Sequence, residues 1–280
     1  MLLLDHFRPP LSTRRHWHSF HNAWATYLAS DLNQRLPEGF FAEPNVQFGT
    51  EVQFGIEIDV AAFEENSEAL TLTPSLASPD ASVPGWQPPT PTQTIAFESS
   101  DAIVEVSILG SEGGPNLRAA IELASPANKD RLQQRNAFVS KCETYLREGI
   151  GLVIVDVVTT RQANLHQELL ERFAGGSAVG SANLQRIAPS SQGSEQPHAD
   201  QPPGFRLDGS YVGGYRSVID CSSAERSQPS AAGSLQIWYE CFGVGEALPT
   251  LPLWLGQQLC LPLLLQEAYA QTCRSQRLGN

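Results

Sequence analysis

A chain of 280 residues with 41% apolar and 17% charged side chains can bury a sizeable core in one large domain or two small ones. Thirty acidic against eighteen basic residues give a net charge of −12, which sets any nucleic-acid partner at an electrostatic disadvantage. No apolar run reaches the roughly 18–20 residues of a membrane span, and the stretch Met1-Leu2-Leu3-Leu4 meets Asp5 too early for a signal peptide. The five cysteines are odd in number and lack CxxC spacing, so a reduced, cytoplasmic setting is expected rather than a disulfide or zinc framework.

From the N-terminus, Trp17, Phe20, Trp24, Tyr27, Leu28 and Leu32 recur at three- and four-residue steps and predict a helix over 16–36, ended by Pro37-Glu38-Gly39. Alternation of Val46, Phe48, Val52, Phe54, Ile56, Ile58 and Val60 predicts strand structure over 40–63. Residues 66–93, rich in Pro, Ser and Thr, read as a loop. Strands follow at 103–109 and 119–124, separated by a Gly-rich turn at 110–115. A helix over about 130–148, capped by Asn128 or Asp130, carries Leu132, Phe138, Val139, Cys142, Tyr145 and Leu146 as its buried stripe.

The continuous apolar run 152–158 suits a strand buried on both faces. A short helix is expected over 165–173 and a flexible Gly/Ser/Pro/Gln loop over 174–204. Strands follow at 210–219 and 235–242, and Gly213-Gly214 suggests a hairpin or bulge rather than a phosphate loop. The Leu- and Pro-rich segment 248–269 reads as an irregular strap plus a short helix. No repeat is present. This order predicts a single α/β domain spanning residues 1–280, with a mixed central β-sheet flanked by helices and a right-handed strand–helix–strand crossover from residue 119 to 158.

Three residues stand out for chemistry. Asp59 and Glu122 lie within apolar strand sequences, where a carboxylate is costly unless it is paired or bound to a cation. Lys141 borders the buried stripe of the helix that follows Glu122. Two carboxylates and a lysine are the minimal kit for Mg²⁺-assisted hydrolysis. The competing readings are a solvent-facing edge residue for Glu122 and a snorkelling side chain for Lys141.

Lys141 and Lys129 are the only lysines, against sixteen arginines. A compact ammonium can reach a metal-bound water or a phosphate as a point charge, which makes Lys129 a further catalytic candidate; compositional bias is the alternative. Residues 36–117 hold thirteen acidic residues and no Lys or Arg. They form either a solvated acidic face or a cation-gathering cluster. Glu57 and Glu51 are supporting carboxylates, and His21 is an accessory candidate beside Asn22. His18 and His21 share a helix face and are a weaker metal pair. Serine-hydrolase, P-loop and Rossmann fingerprints are missing. Trp254 is either core or the centre of a homodimer contact through the 251–255 strap.

The run from Ile121 to Lys129, the segment Lys141 to Gly149 and the strand 152–158 containing Asp156 together resemble the bacterial domain-of-unknown-function family 4058. The stretches Trp17–Asn22 and Leu248–Leu255 agree with it. That family in turn resembles the Uma-type endonucleases of the PD-(D/E)XK nuclease-like superfamily. The resemblance implies a restriction-endonuclease-like core, a Mg²⁺ or Mn²⁺ site held by Asp59 and Glu122, and nucleic acid as substrate. It departs from the usual pattern in two places. Ala124 stands where the lysine two residues after the Glu is usual, a role the Uma-type branch gives to a helix lysine, here Lys141. Ile58 stands in place of the proline before the Asp. An inactive nuclease-fold scaffold is the alternative.

Overall fold

The computed structural model describes residues 1–48, 56–65, 86–98, 115–174, 210–219, 232–257 and 259–278. Two N-terminal helices, α1 (Leu11–Arg14) and α2 (Trp17–Asn33), precede the strands β1 (Phe40–Phe48), β2 (Ile56–Glu64), β3 (Gln93–Glu98) and β4 (Asn116–Leu123). Then come α3 (Pro126–Asp130), α4 (Leu132–Arg147), β5 (Gly151–Asp156) and α5 (Leu165–Ala174). The chain ends with β6 (Ser210–Ile219), β7 (Ala232–Phe242), β8 (Thr250–Leu255), β9 (Leu259–Leu264) and α6 (Leu265–Ser275).

Among the described residues the main sheet has seven strands in the order β1-β2-β4-β5-β6-β7-β3. Only β4 and β5 run parallel, as their connection through α3 and α4 requires. The mixed α/β class expected from the sequence is therefore present.

Two cores flank the sheet. One joins α2, α6 and the β8–β9 hairpin to Val60, Ala119, Ile121, Leu123, Val153 and Val155. The other joins α4 and α5 to Ala61, Ala120, Leu152 and Ile154. Successive residues of β5 thus enter opposite cores, which explains its unbroken apolar run. The burial of Phe20, Trp24, Leu28 and Leu32 against the first core gives α2 the aromatic spacing seen in its sequence.

Several expectations change. The expected irregular strap over 248–264 is instead built around a regular hairpin of Thr250–Leu255 and Leu259–Leu264, with Pro252 opposite Pro262. Each strand of a two-stranded ribbon has a free outer edge, where a missing N–H costs no ladder bond. Helix α4 starts after Arg131, not at Asn128 or Asp130. Asn128 instead completes a capping box with Ser125 on α3. Strand β3 begins at Gln93, at the edge of the expected loop 66–93, and pairs with β7. Gly213 and Gly214 lie inside β6 rather than at a turn. The expected strand at 103–109, most of both predicted loops, and Glu51 lie outside the described residues. Trp254 is half-buried and packs on the first core, with the Arg216 guanidinium 3.8 Å above its ring.

Gly151 shows how tightly the hairpin sits on the sheet. A Cβ there would fall 1.8 Å from the Trp254 carbonyl oxygen, a backbone atom with little room to yield. Gly151→Ala is expected to destabilise the fold by about 3 kcal/mol, at the upper end of overpacking costs. Denaturant unfolding would measure this, and a variant as stable as the parent would contradict the close packing.

Candidate active site

The site arises where β2 and β4 part. Their pairing runs from Glu64↔Asn116 to Val60↔Ile121, while residues 56–58 pair, among the described residues, with β1 alone. The alternation of β2 also breaks at this point. Val60 faces the first core and Ala61 the second, yet Ile58 also faces the second. On β1, Asn45 sits between the pairs Pro44↔Val60 and Val46↔Ile58 and takes a left-handed backbone, φ 53°. Asp59 lies at this turn of the strand, and its Oδ2 accepts the Leu123 N–H at 2.7 Å. A side chain therefore bridges the two strands where the ladder stops.

The opening holds a cleft of about 380 Å³ lined by Trp17, His18, His21 and Asn22 of α2, Glu57 and Asp59 of β2, Glu122 and Leu123 of β4, the turn 125–128, and Lys141 of α4. Asp59 and Glu122 are nearly buried, at 8% and 2% exposure, so their charges need partners. Glu122 Oε2 accepts a hydrogen bond from Lys141 Nζ at 2.7 Å. The same ammonium donates to the Glu57 carbonyl at 2.8 Å, so Glu57 contacts it through its backbone. His21 Nε2 lies 3.2 Å from Asp59 Oδ1 and 3.0 Å from the Leu123 carbonyl oxygen.

Of the residues expected to act, the cleft thus gathers Asp59, Glu122, Lys141, His21 and Glu57. Lys129 does not join them. Its ammonium is buried and donates to Asp156 Oδ2 at 2.7 Å. Asp156 Oδ1 takes the Val158 N–H, so this pair ties α3 to the end of β5 beside the cleft. The main-chain oxygen of Leu123 carries no signal in its side chain, and only the fold reveals it. Residues 125–128, which open α3, were legible as part of the Ile121–Lys129 run but not as a cleft wall.

Burial pushes the Glu122 carboxyl up to about 7; the Lys141 charge pulls against this and the Asp59 charge adds to it. Desolvation works against a charged Lys141, but the charge and hydrogen bond of Glu122, with Cys142 and Asp59, together raise it. Desolvation works against a charged His21, but the hydrogen bond and charge of Asp59, with the Leu123 carbonyl, lift it to about 9. Glu122 Oε1 and the Tyr145 hydroxyl are close enough to affect each other's titration. Both are buried without a hydrogen bond of ordinary geometry.

These shifts have one sign. Each raised group holds its proton more tightly in the folded state, so its stabilisation is complete below its ordinary pKa and lost as pH rises through the folded one. For Glu122 the window runs from 4.5 to about 7, and for His21 from 6.5 to about 9. Thermal melts are expected to show a Tm that falls from pH 6.5 to 9. Between pH 5 and 7 the buried His6 and His166, lowered to about 4 and about 3, pull the other way, so the Glu122 contribution is read there as the difference between wild type and Glu122→Gln.

No family model, curated protein or solved structure matches this chain. The chemistry of the site must therefore be read from its own groups. No described helix is long and apolar enough to cross a membrane. Among the described residues, no cluster of three or more His, Cys, Asp or Glu side chains is placed to hold a metal. The cleft offers instead the carboxylates of Asp59 and Glu122 and the Leu123 carbonyl oxygen. An all-oxygen set with few protein donors fits Mg²⁺ or Mn²⁺, which keep several of their waters.

Proposed function

We propose that the cleft is a site for Mg²⁺- or Mn²⁺-assisted phosphodiester hydrolysis on a restriction-endonuclease-like core. The observation that carries this reading is the ammonium of Lys141, delivered from α4 to within 2.7 Å of Glu122 in the cleft that also holds Asp59. It supplies from a helix the charge that Ala124, two residues after Glu122, cannot.

Asp59 and Glu122 would hold the cation, which supplies Lewis-acid polarisation of the phosphoryl group and a more acidic bound water. Lys141 opposes the burial that raises Glu122 and so favours its carboxylate form, and it is placed to orient a water for attack at phosphorus. The Leu123 N–H fixes the Asp59 carboxylate so that it need not reorganise. Nucleic acid is the proposed substrate, approached against a net charge of −12. The cytoplasm is the proposed compartment.

One observation favours a second reading, a nuclease-fold scaffold without activity. Each carboxylate already has an internal cationic partner, Lys141 for Glu122 and His21 for Asp59. Such a protein would act through its surface, including homodimerisation over the Trp254 face.

The discriminating assay incubates single- and double-stranded DNA and RNA with Mg²⁺ or Mn²⁺. Metal-dependent cleavage is expected in the wild type, reduced about 10²–10³-fold in Glu122→Gln, since a Lewis acid contributes several kcal/mol and each 1.4 kcal/mol is tenfold. Equal cleavage by wild type, Glu122→Gln and Lys141→Ala would identify a contaminant. No cleavage of any substrate would leave the scaffold reading.

A further inference from the structure

Asp59 Oδ1 and the Leu123 carbonyl oxygen converge on one atom, His21 Nε2, at 3.2 and 3.0 Å. Both are acceptors, so Nε2 carries a hydrogen directed between them. Those two oxygens, with Glu122, are the cleft's donors for a hard cation. A Mg²⁺ ion touching them at about 2.0–2.1 Å would fall on the path of that N–H.

The ring is held, yet not locked. Its Nδ1 lies 3.4 Å from Asn22 Oδ1, a long contact, and Trp17 meets it edge-on with centroids 5.8 Å apart. Its side chain keeps 13% exposure and borders the open cleft. Rotation about the side-chain bonds toward His18 and Asn22 would free both oxygens without moving α2.

We infer that His21 occupies the cation's seat, and that a divalent ion enters the site by displacing its ring from Asp59 and the Leu123 carbonyl. This rests on the metal reading of the cleft and adds its regulation. The free protein is closed to cations by its own side chain, and whatever draws the ring away raises metal affinity. The arrangement also explains how a carboxylate as buried as Asp59 is tolerated in the metal-free fold.

Calorimetric titration with Mn²⁺ at a fixed pH tests this on the full chain. His21→Ala is expected to bind about thirtyfold more tightly than the wild type, since the ion no longer displaces two hydrogen bonds worth about 1 kcal/mol each. His21→Leu preserves the apolar contact with Trp17 and serves if the alanine variant misfolds; it too is expected to bind more tightly. In ¹⁵N spectra of the wild type, Mg²⁺ is expected to shift the His21 ring and leave His166 in place. Equal affinity in wild type and variants would make His21 a bystander, and weaker affinity in the variants would make it a ligand. Either result overturns the inference and leaves the metal reading standing. An absence of binding in all three proteins at millimolar Mn²⁺ would remove both.

Discussion

Replacing Lys141 by methionine is expected to cost about 3–5 kcal/mol at pH 8 and far less at pH 5. The side chain is only partly covered, but its partner is not: the Glu122 side chain is 2% exposed against 19% for Lys141. Methionine keeps most of the stem volume and removes the charge, leaving a buried carboxylate with no counterion. Glu122 stands near 7 even with Lys141 beside it. Without that ammonium it moves higher and can fold only by taking up a proton. The penalty therefore grows with pH from 5 to 8. Paired melts at the two pH values check this, and a penalty of equal size at both would mean that Lys141 acts through packing rather than charge.

Lys129→Met is expected to cost a similar 3–5 kcal/mol, for a reason unconnected with catalysis. The Lys129 and Asp156 side chains are 5% and 1% exposed and meet at 2.7 Å, so removing the lysine strands a carboxylate deeper in the core than Glu122. Adding Asp156→Asn should recover much of the loss, because the amide oxygen can still accept the Val158 N–H without a charge. Chemical denaturation of the single and double variants measures the coupling. If the double variant is no more stable than Lys129→Met alone, the pair is not the source of the cost. Because α3 forms part of the cleft wall, the single variant should also loosen the 125–128 turn.

Much of the site was legible in the sequence, because charge in an apolar strand is conspicuous. Asp59 and Glu122 could be singled out for that reason, and Lys141 for its place beside the buried stripe of its helix; the three meet in one cleft. The aromatic steps of α2 and the double-sided burial of β5 were legible through their periods. What escaped was set by tertiary geometry. The two lysines look alike in the chain, yet only their different depths divide a cleft residue from a structural pair. His21 lies 102 positions from Leu123, and no local pattern reports that contact. The twist of β2 at Asp59 depends on Asn45 in the neighbouring strand and on the end of pairing with β4. The hairpin over 250–264 was hidden because its prolines argued against strands, and their harmless position opposite each other appears only once the two strands are paired.

The central claim is that Asp59 and Glu122 share one cation. Electron paramagnetic resonance of free Mn²⁺ tests it most directly, by counting ions removed from solution by wild type, Asp59→Asn and Glu122→Gln. The account predicts one bound ion per wild-type chain and loss of that ion in both variants. Binding that survives in either variant, or no binding by the wild type, would contradict it.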